Sequence, residues 1–346
     1  MIAFPFSSDM VESGNHENRE LTSFNEVINA SWRNKPYYFR EYFNDHLPLK
    51  NQIITLHSLV FMRLFNTTAS PLVVVGSDGW LFFNNIGLDN PISDVTGVTS
   101  FSSEEMNRIA SGINARTKSL SDAGIELRVL IIPNKEAVYS DFLPGYISSR
   151  RVQNSRTDVL ADYLVRETDN VIYPKNELIK SKDDYRVYHK YDTHWNGIGG
   201  YIAAREVFLS LGIGLPEPGD CEIAQVKPSK DLAVMAGIED FCNDDYEYEV
   251  LYNGENPEFT SEEIAPGILR HTGNAADKRT VVVIGDSYFA ALRGYFCSQF
   301  CEVIEINRNT ASYEPDKVIE KYQPSIVIRQ VVERASSTLL QDDILS

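Results

Sequence analysis

The sequence predicts an α/β fold, a parallel sheet covered by helices on both faces, and three observations carry that expectation. Short and almost wholly apolar runs at 127–132 and 281–284 have the character of strands buried on both sides. They alternate with longer stretches of helical periodicity rather than with tight hairpin turns. Finally, 346 residues with 43% hydrophobic side chains, 18 Tyr and 17 Phe among them, suffice for one large domain with insertions or for two ordinary ones.

Taken in order, residues 17–66 read as helices with a polar start. Residues 31–45 are aromatic-rich, and 49–65 carries Ile53, Leu56, Leu59, Val60, Met62 and Leu64 at helical spacing. Residues 1–70 are therefore expected as a helical lead-in packed on a core of 71–346. After Pro71, the run Val73-Val74-Val75, the turn Gly76-Ser77-Asp78-Gly79 and the run Trp80-Leu81-Phe82-Phe83 predict a hairpin. Ser102 and Glu105 form a capping box for a helix to about residue 122, which Gly124 ends. A strand at 127–132, a helix at 157–168, a strand at 171–173 and a helix at 196–211 follow. In that last helix Tyr201, Ala204, Phe208 and Leu211 share a face.

Residues 214–278 break this rhythm. Pro216, Pro218, Pro228, Pro257 and Pro266 mark them as an irregular insertion of loops and short strands. Their acidic set, Glu239, Asp240, Asp244, Asp245, Glu247 and Glu249, reads as a solvated surface, with a carboxylate metal site as the alternative. The alternation then returns, with strands at 281–284, 302–306 and 326–328 and helices at 288–300 and 315–322. No internal repeat is visible.

The charge balance narrows the partners. With 49 acidic against 32 basic side chains the net charge is −17, which argues against nucleic acid. It also opposes long-range attraction to a polyanionic polymer unless a local basic groove exists. No apolar run reaches the roughly 18 residues of a membrane span, and residues 1–15 lack the charged-then-apolar pattern of a signal. Either the protein is soluble as it stands, or an anchor or signal precedes this sequence. Cys221, Cys242, Cys297 and Cys301 show no zinc-finger spacing. Their even number permits disulfides, with three connectivities, as readily as free thiols.

Two motifs carry chemistry. Thr280 to Ser287 is an apolar strand entering the turn Gly285-Asp286-Ser287, and a helix starts at about Tyr288. A serine there sits at the carboxyl end of a strand, where ligands and nucleophiles gather in open α/β sheets. Backbone N–H groups of such a turn can stabilise an oxyanion, and Gly285 lets the chain turn without a Cβ clash. Alternatively Asp286 and Ser287 merely cap the helix. A serine nucleophile needs a base, and the chain has six His. His16, His46, His57, His189 and His271 stand in unpromising surroundings. His194 lies in Tyr191-Asp192-Thr193-His194-Trp195-Asn196, with an acid two residues before it and a helix capped by Asn196 expected after it. The alternatives are a hydrogen-bonded loop Asp with a surface His, or two metal ligands. Nothing nearby offers a convincing third ligand, so no metal is expected, and no cofactor.

Together these motifs resemble the alginate O-acetyltransferase family (AlgJ/AlgX-like) of the SGNH hydrolase superfamily. Most SGNH enzymes place the nucleophile first and an Asp-x-x-His motif last, whereas here the base stands 93 residues upstream of the serine. The resemblance covers most of the chain. It includes Glu17-Asn18-Arg19 with Leu21, Asp45-His46-Leu47-Pro48-Leu49 with Lys50 where the family has Arg, and Gly76 to Phe82. It continues through Ile132 to Glu136, Phe142-Leu143-Pro144, Tyr191 to Trp195, Gly285 to Phe289 and Val332-Glu333-Arg334. Departures are Tyr288 before Phe289, and Arg329-Gln330 in place of a more acidic or apolar pair. Only 12 residues follow Arg334, so the carbohydrate-binding module of AlgX-like members is not expected.

The resemblance implies an SGNH-like (flavodoxin-like) sheet and the catalytic residues Ser287, His194 and Asp192. It implies ping-pong transfer of an acetyl group to hydroxyls of a secreted polysaccharide, in or beyond the periplasm and next to a membrane. A membrane acyltransferase would deliver the acetyl group, since cytoplasmic acetyl-CoA is absent there. Lys135 at a strand end, Arg293 on the nucleophile's helix, Trp195 and Tyr288 are candidate substrate contacts. Surface roles for the two cations, and sheet packing for Trp195, are the plainer alternatives. The acceptor is expected to be neutral or weakly charged. Two rivals remain: an acetylesterase of a glycan, and a non-catalytic partner in a polysaccharide synthesis or export complex.

Overall fold

A computed structural model describes residues 21–46, 50–85, 87, 89–251, 258–309 and 314–341. The motif positions Glu17, Asn18, Arg19, Leu47, Pro48 and Leu49, with His16 and Pro257, lie outside the described residues.

The lead-in forms three helices, Phe24–Asn29, Lys35–Asp45 and Lys50–Phe65. Ser23 and Glu26 close a capping box on the first. The third is fastened to the body: Thr55 and Ser58 donate to the carbonyls of Gly237 and Ala236 at 2.6 and 2.7 Å. No helix among the described residues is long and apolar enough to cross a membrane.

Among the described residues eleven strands follow: β1 Val73–Val75, β2 Leu81–Phe83, β3 Glu126–Ile132, β4 Val171–Ile172, β5 Glu222–Val226, β6 Glu247–Leu251, β7 Phe259–Ala265, β8 Ile268–Gly273, β9 Asp277–Gly285, β10 Phe300–Asn307 and β11 Ile326–Val332. The main sheet has the order β4-β3-β11-β9-β10-β8-β7. Its first five strands are parallel, and β8 and β7 extend it antiparallel. Successive residues of the parallel strands face opposite sides. Leu130, Ile132, Val281, Val283 and Ile328 pack toward the helices Gly197–Ser210 and Ala290–Gln299. Val129, Ile131, Val282, Ile284 and Val327 pack toward Ser103–Asp122, Arg156–Glu167 and Pro315–Tyr322. Both faces are covered, as the continuous apolar runs require.

Counted from β9, the parallel strands fall in the spatial order 2-1-3-4-5, which is that of flavodoxin. The chain simply enters this arrangement at its fourth strand, β3. The Asp192–His194 segment therefore comes after the fifth strand in the count, while preceding the serine in sequence. That permuted entry explains the reversed order of the motifs.

Residues 214–278 hold more order than their prolines suggest. β7 and β8 join the main sheet, β5 and β6 pair with each other, and the helix Asp231–Ala236 packs its Leu232, Ala233 and Ala236 beneath β1 and β2. Several of the acidic residues there are likewise not a solvated surface. Asp245 is buried, accepts from Lys190 N at 3.0 Å and pairs with Arg186. Asp244 takes Lys190 Nζ at 2.6 Å and the Tyr191 hydroxyl, and Glu247 meets His189 at 3.2 Å. These carboxylates fix the segment that leads to His194. All four cysteines are free thiols.

Candidate active site

β9 delivers the serine. Its last residue, Gly285, pairs with Asn307 of β10, and a 3-10 turn Ser287–Phe289 passes into the helix Ala290–Gln299. Asp286 caps that turn by accepting from Tyr288 N at 3.0 Å. Gln330 brackets Asp286 from β11: its Oε1 accepts from Asp286 N at 3.0 Å and its Nε2 donates to Asp286 Oδ1 at 2.6 Å. A Cβ on Gly285 would lie 2.0 Å from Gln330 Oε1. Gly285 is needed for this close approach, and Gln330, which the motif comparison marked as out of place, is what approaches. With Asp286 as the cap, the Ser287 side chain is left exposed and available.

His194 arrives on the segment before the helix Gly197–Ser210, which Asn196 caps through its bond from Gly199 N at 3.0 Å. His194 Nε2 lies 2.8 Å from Ser287 Oγ, and its Nδ1 lies 2.7 Å from Asp192 Oδ1. Asp192 is fully buried and its Oδ2 accepts from Ser229 Oγ at 2.5 Å and from Asp231 N at 2.9 Å. Burial alone would raise the carboxyl of Asp192. The bond to and charge of His194, with the Ser229 and Asp231 donors, instead hold it well below the usual range. Burial pushes the His194 imidazole down, but Asp192 and Asp231 outweigh it and raise the imidazole above its ordinary 6.5. Nδ1 is thus held in its protonated form, and Nε2 is left facing the serine as acceptor.

Of the four candidate substrate contacts, Lys135, Trp195 and Tyr288 are buried and Arg293 is partly exposed. Lys135 is 1% exposed, and its Nζ donates to the carbonyls of Asp192, His189 and Lys190 at 2.6, 3.2 and 3.4 Å. It pins the acid's backbone from behind, and burial lowers its pKa to about 8. Trp195 is buried, and its Nε1 donates to Tyr288 O at 3.0 Å. Tyr288 is buried too; its hydroxyl donates to Thr193 O at 2.7 Å and its ring centre lies 4.4 Å from that of His194. Arg293 is held by Glu305 at 2.8 and 3.1 Å. Lys135, Trp195 and Tyr288 are buried, and each has its polar group bonded to backbone.

Sequence reasoning missed Ser229 and Asp231, and it named Arg334 only within the closing Val332-Glu333-Arg334 motif, with no role in the site. Arg334 donates to Tyr288 Oη at 3.1 Å and lies over that ring. Ser229 and Asp231 fall in the proline-rich segment, where no periodicity points toward Asp192. The sequence offered no third ligand beside Asp192 and His194, but the fold brings Asp231 there, so the three side chains form a group with metal-binding potential; their polar atoms are engaged in hydrogen bonds.

Residues 73–299 match the family model described as SGNH hydrolase-like domain, acetyltransferase AlgX. The chain belongs to that family. Among curated proteins it is similar to the probable alginate O-acetylase AlgJ of Pseudomonas syringae pv. tomato, 23% identical over 199 residues, 57% of this chain and 46% of that protein. It is similar to the protein of that name from Pseudomonas fluorescens, 25% identical over 199 residues, 56% and 46% of the two chains. The chain thus spans less than half the length of these relatives. A DHHW family protein from Eubacterium siraeum shares the fold at a TM-score of 0.56, with 15% identity, covering 79% of this chain and 95% of that one. Bacillus cereus PatB1 does so at 0.55, with 15% identity, covering 79% and 98%.

Proposed function

We propose that the protein is an O-acetyltransferase that moves an acetyl group through a Ser287 acyl-enzyme to hydroxyls of a polysaccharide outside the cytoplasm. The observation that carries this reading is the continuous chain Asp192–His194–Ser287, with links of 2.7 and 2.8 Å. Membership of an acetyltransferase family and likeness to probable alginate O-acetylases support acetyl transfer to a glycan.

His194 Nε2 takes the proton as Ser287 Oγ attacks the acetyl carbonyl. The tetrahedral oxyanion is held by the Ser287 N–H at the start of its turn and by a second donor. The donor's leaving group departs with the proton from His194. A sugar hydroxyl then attacks the acyl-serine while His194 removes its proton; the serine ester bond breaks and Ser287 recovers its hydrogen. Asp192 stabilises the imidazolium in both halves. The net charge of −17 favours a neutral or weakly charged acceptor. A membrane acyltransferase is the donor's source under this reading.

The test is incubation with an aryl acetate and a neutral oligosaccharide, with products resolved by mass. An oligosaccharide heavier by one acetyl group, absent with Ser287→Ala, is the expected result. Aryl ester turnover yielding only free acetate across an acceptor panel, with acetate also released from an acetylated oligosaccharide, would instead identify a glycan acetylesterase. A folded protein inert toward every donor would favour a scaffold role.

A further inference from the structure

The acid and base do not stand alone. Asp231, first residue of the helix Asp231–Ala236, reaches the same three-residue segment from the far side. Its Oδ1 accepts from Thr193 N at 2.8 Å and its Oδ2 from Thr193 Oγ1 at 2.7 Å. The same Oδ2 lies 3.8 Å from His194 Nδ1. At the head of this helix, Asp231 N and Ser229 Oγ together occupy Asp192 Oδ2. The backbone N–H groups of Leu232 and Ala233 bond to Tyr191 O at 3.0 and 3.2 Å. Every residue from 191 to 193 is therefore held by residues 229–233, and the helix bearing them is itself anchored by buried Leu232, Ala233 and Ala236.

We propose that Asp231 is a positioning residue and second counter-charge for His194, brought by the 214–278 segment together with Ser229 to complete the site. The proposal rests on the acyl-transfer reading only for its catalytic consequence; the pairing itself is independent of it. Both Asp231 oxygens accept hydrogen bonds, the pattern of an ionised carboxylate; burial and the Asp192 charge raise its pKa, while the Thr193 bonds and the His194 charge oppose that rise. A carboxylate that close to Nδ1 favours the imidazolium formed when Ser287 gives up its proton. The groups facing His194 are Asp192 on its own segment, Asp231 on the clamping helix, Tyr288 on the nucleophile turn and Arg334 beyond β11, the last opposing the imidazolium.

The test follows the His194 ring by NMR across pH in wild type, Asp231→Asn and Ser229→Ala, with kcat/KM for an aryl acetate measured in parallel. Asp231→Asn keeps the shape and removes the charge. The midpoint of His194 should fall by about one pH unit or more, the acidic limb of kcat/KM should follow it, and KM should stay within about twofold. Asp231→Ser, which likewise removes the charge, serves if Asp231→Asn does not fold. Ser229→Ala should lower kcat with little change in the His194 midpoint. An unchanged His194 titration in folded Asp231→Asn or Asp231→Ser overturns the proposal. If the midpoint falls but wild type neither hydrolyses nor transfers acetyl, the positioning stands and the acyl-transfer reading fails.

Discussion

The Tyr288 hydroxyl donates to the carbonyl of Thr193 at 2.7 Å, so the residue after the serine holds the residue before the base. The bond is answered in the other direction, because Trp195 Nε1 donates to the Tyr288 carbonyl at 3.0 Å. The two motifs are 93 positions apart in sequence, and these two bonds fix their spacing where the 2.8 Å contact between His194 and Ser287 must form.

Tyr288→Phe should therefore act through geometry. Losing one buried hydrogen bond costs about 1 kcal/mol of stability, while a serine displaced from its base by a fraction of an ångström costs roughly 10- to 100-fold in kcat. Steady-state kinetics on an aryl acetate, with urea unfolding of the same protein, separate the two effects. A kcat loss no larger than the stability loss would deny the positioning role.

Lys135 offers a pH signature. Its folded pKa of about 8 lies below the ordinary 10.5 because it is buried. Between those values the unfolded chain binds more protons at this group, so its contribution to stability rises with pH. Lys135→Met should flatten that rise between about pH 8 and 10 in urea unfolding. It should also lower kcat about tenfold or more, since Asp192 loses the pin on its carbonyl.

Gly285 and Gln330 should behave as a pair. Gly285→Ala places its Cβ against a side chain rather than backbone, so the clash is relieved by removing that side chain. The single variant is expected to lose roughly 1–3 kcal/mol of stability, and Gln330→Ala in the same chain should recover part of it. Thermal unfolding of the four proteins of the double-mutant cycle measures the coupling. Strict additivity would show that the two side chains do not meet.

His194 sets the pH response. Its imidazole is raised above 6.5, burial opposing and Asp192 and Asp231 prevailing. In the proposed role of general base His194 must be neutral, so kcat/KM should climb with pH and reach half its plateau above 6.5. The same shift gives stability that is full below pH 6.5 and fades as pH rises through the folded pKa. Asp192→Asn should move the kinetic limb downward and reduce kcat by several orders of magnitude.

The sheet was legible because strands buried on both faces are written as apolar runs, and the serine and histidine segments because their turn and capping residues are local. What escaped was contact made across the fold. The strand order depends on where the chain enters the sheet, which no residue near β3 records. Lys135 reads as a surface lysine until its carbonyl partners at 189, 190 and 192 are in place. Ser229 and Asp231 sit among prolines whose spacing suggests loops, and only the folded segment brings them to Asp192.

The most direct test of the account is to quench the protein within its first turnover on an aryl acetate and map the covalent acetyl group by peptide mass spectrometry. One acetyl group on the peptide containing Ser287, absent in Ser287→Ala and accumulating more slowly in His194→Ala, is the predicted result. An acetyl group that resides elsewhere, or turnover that persists in Ser287→Ala, would contradict it.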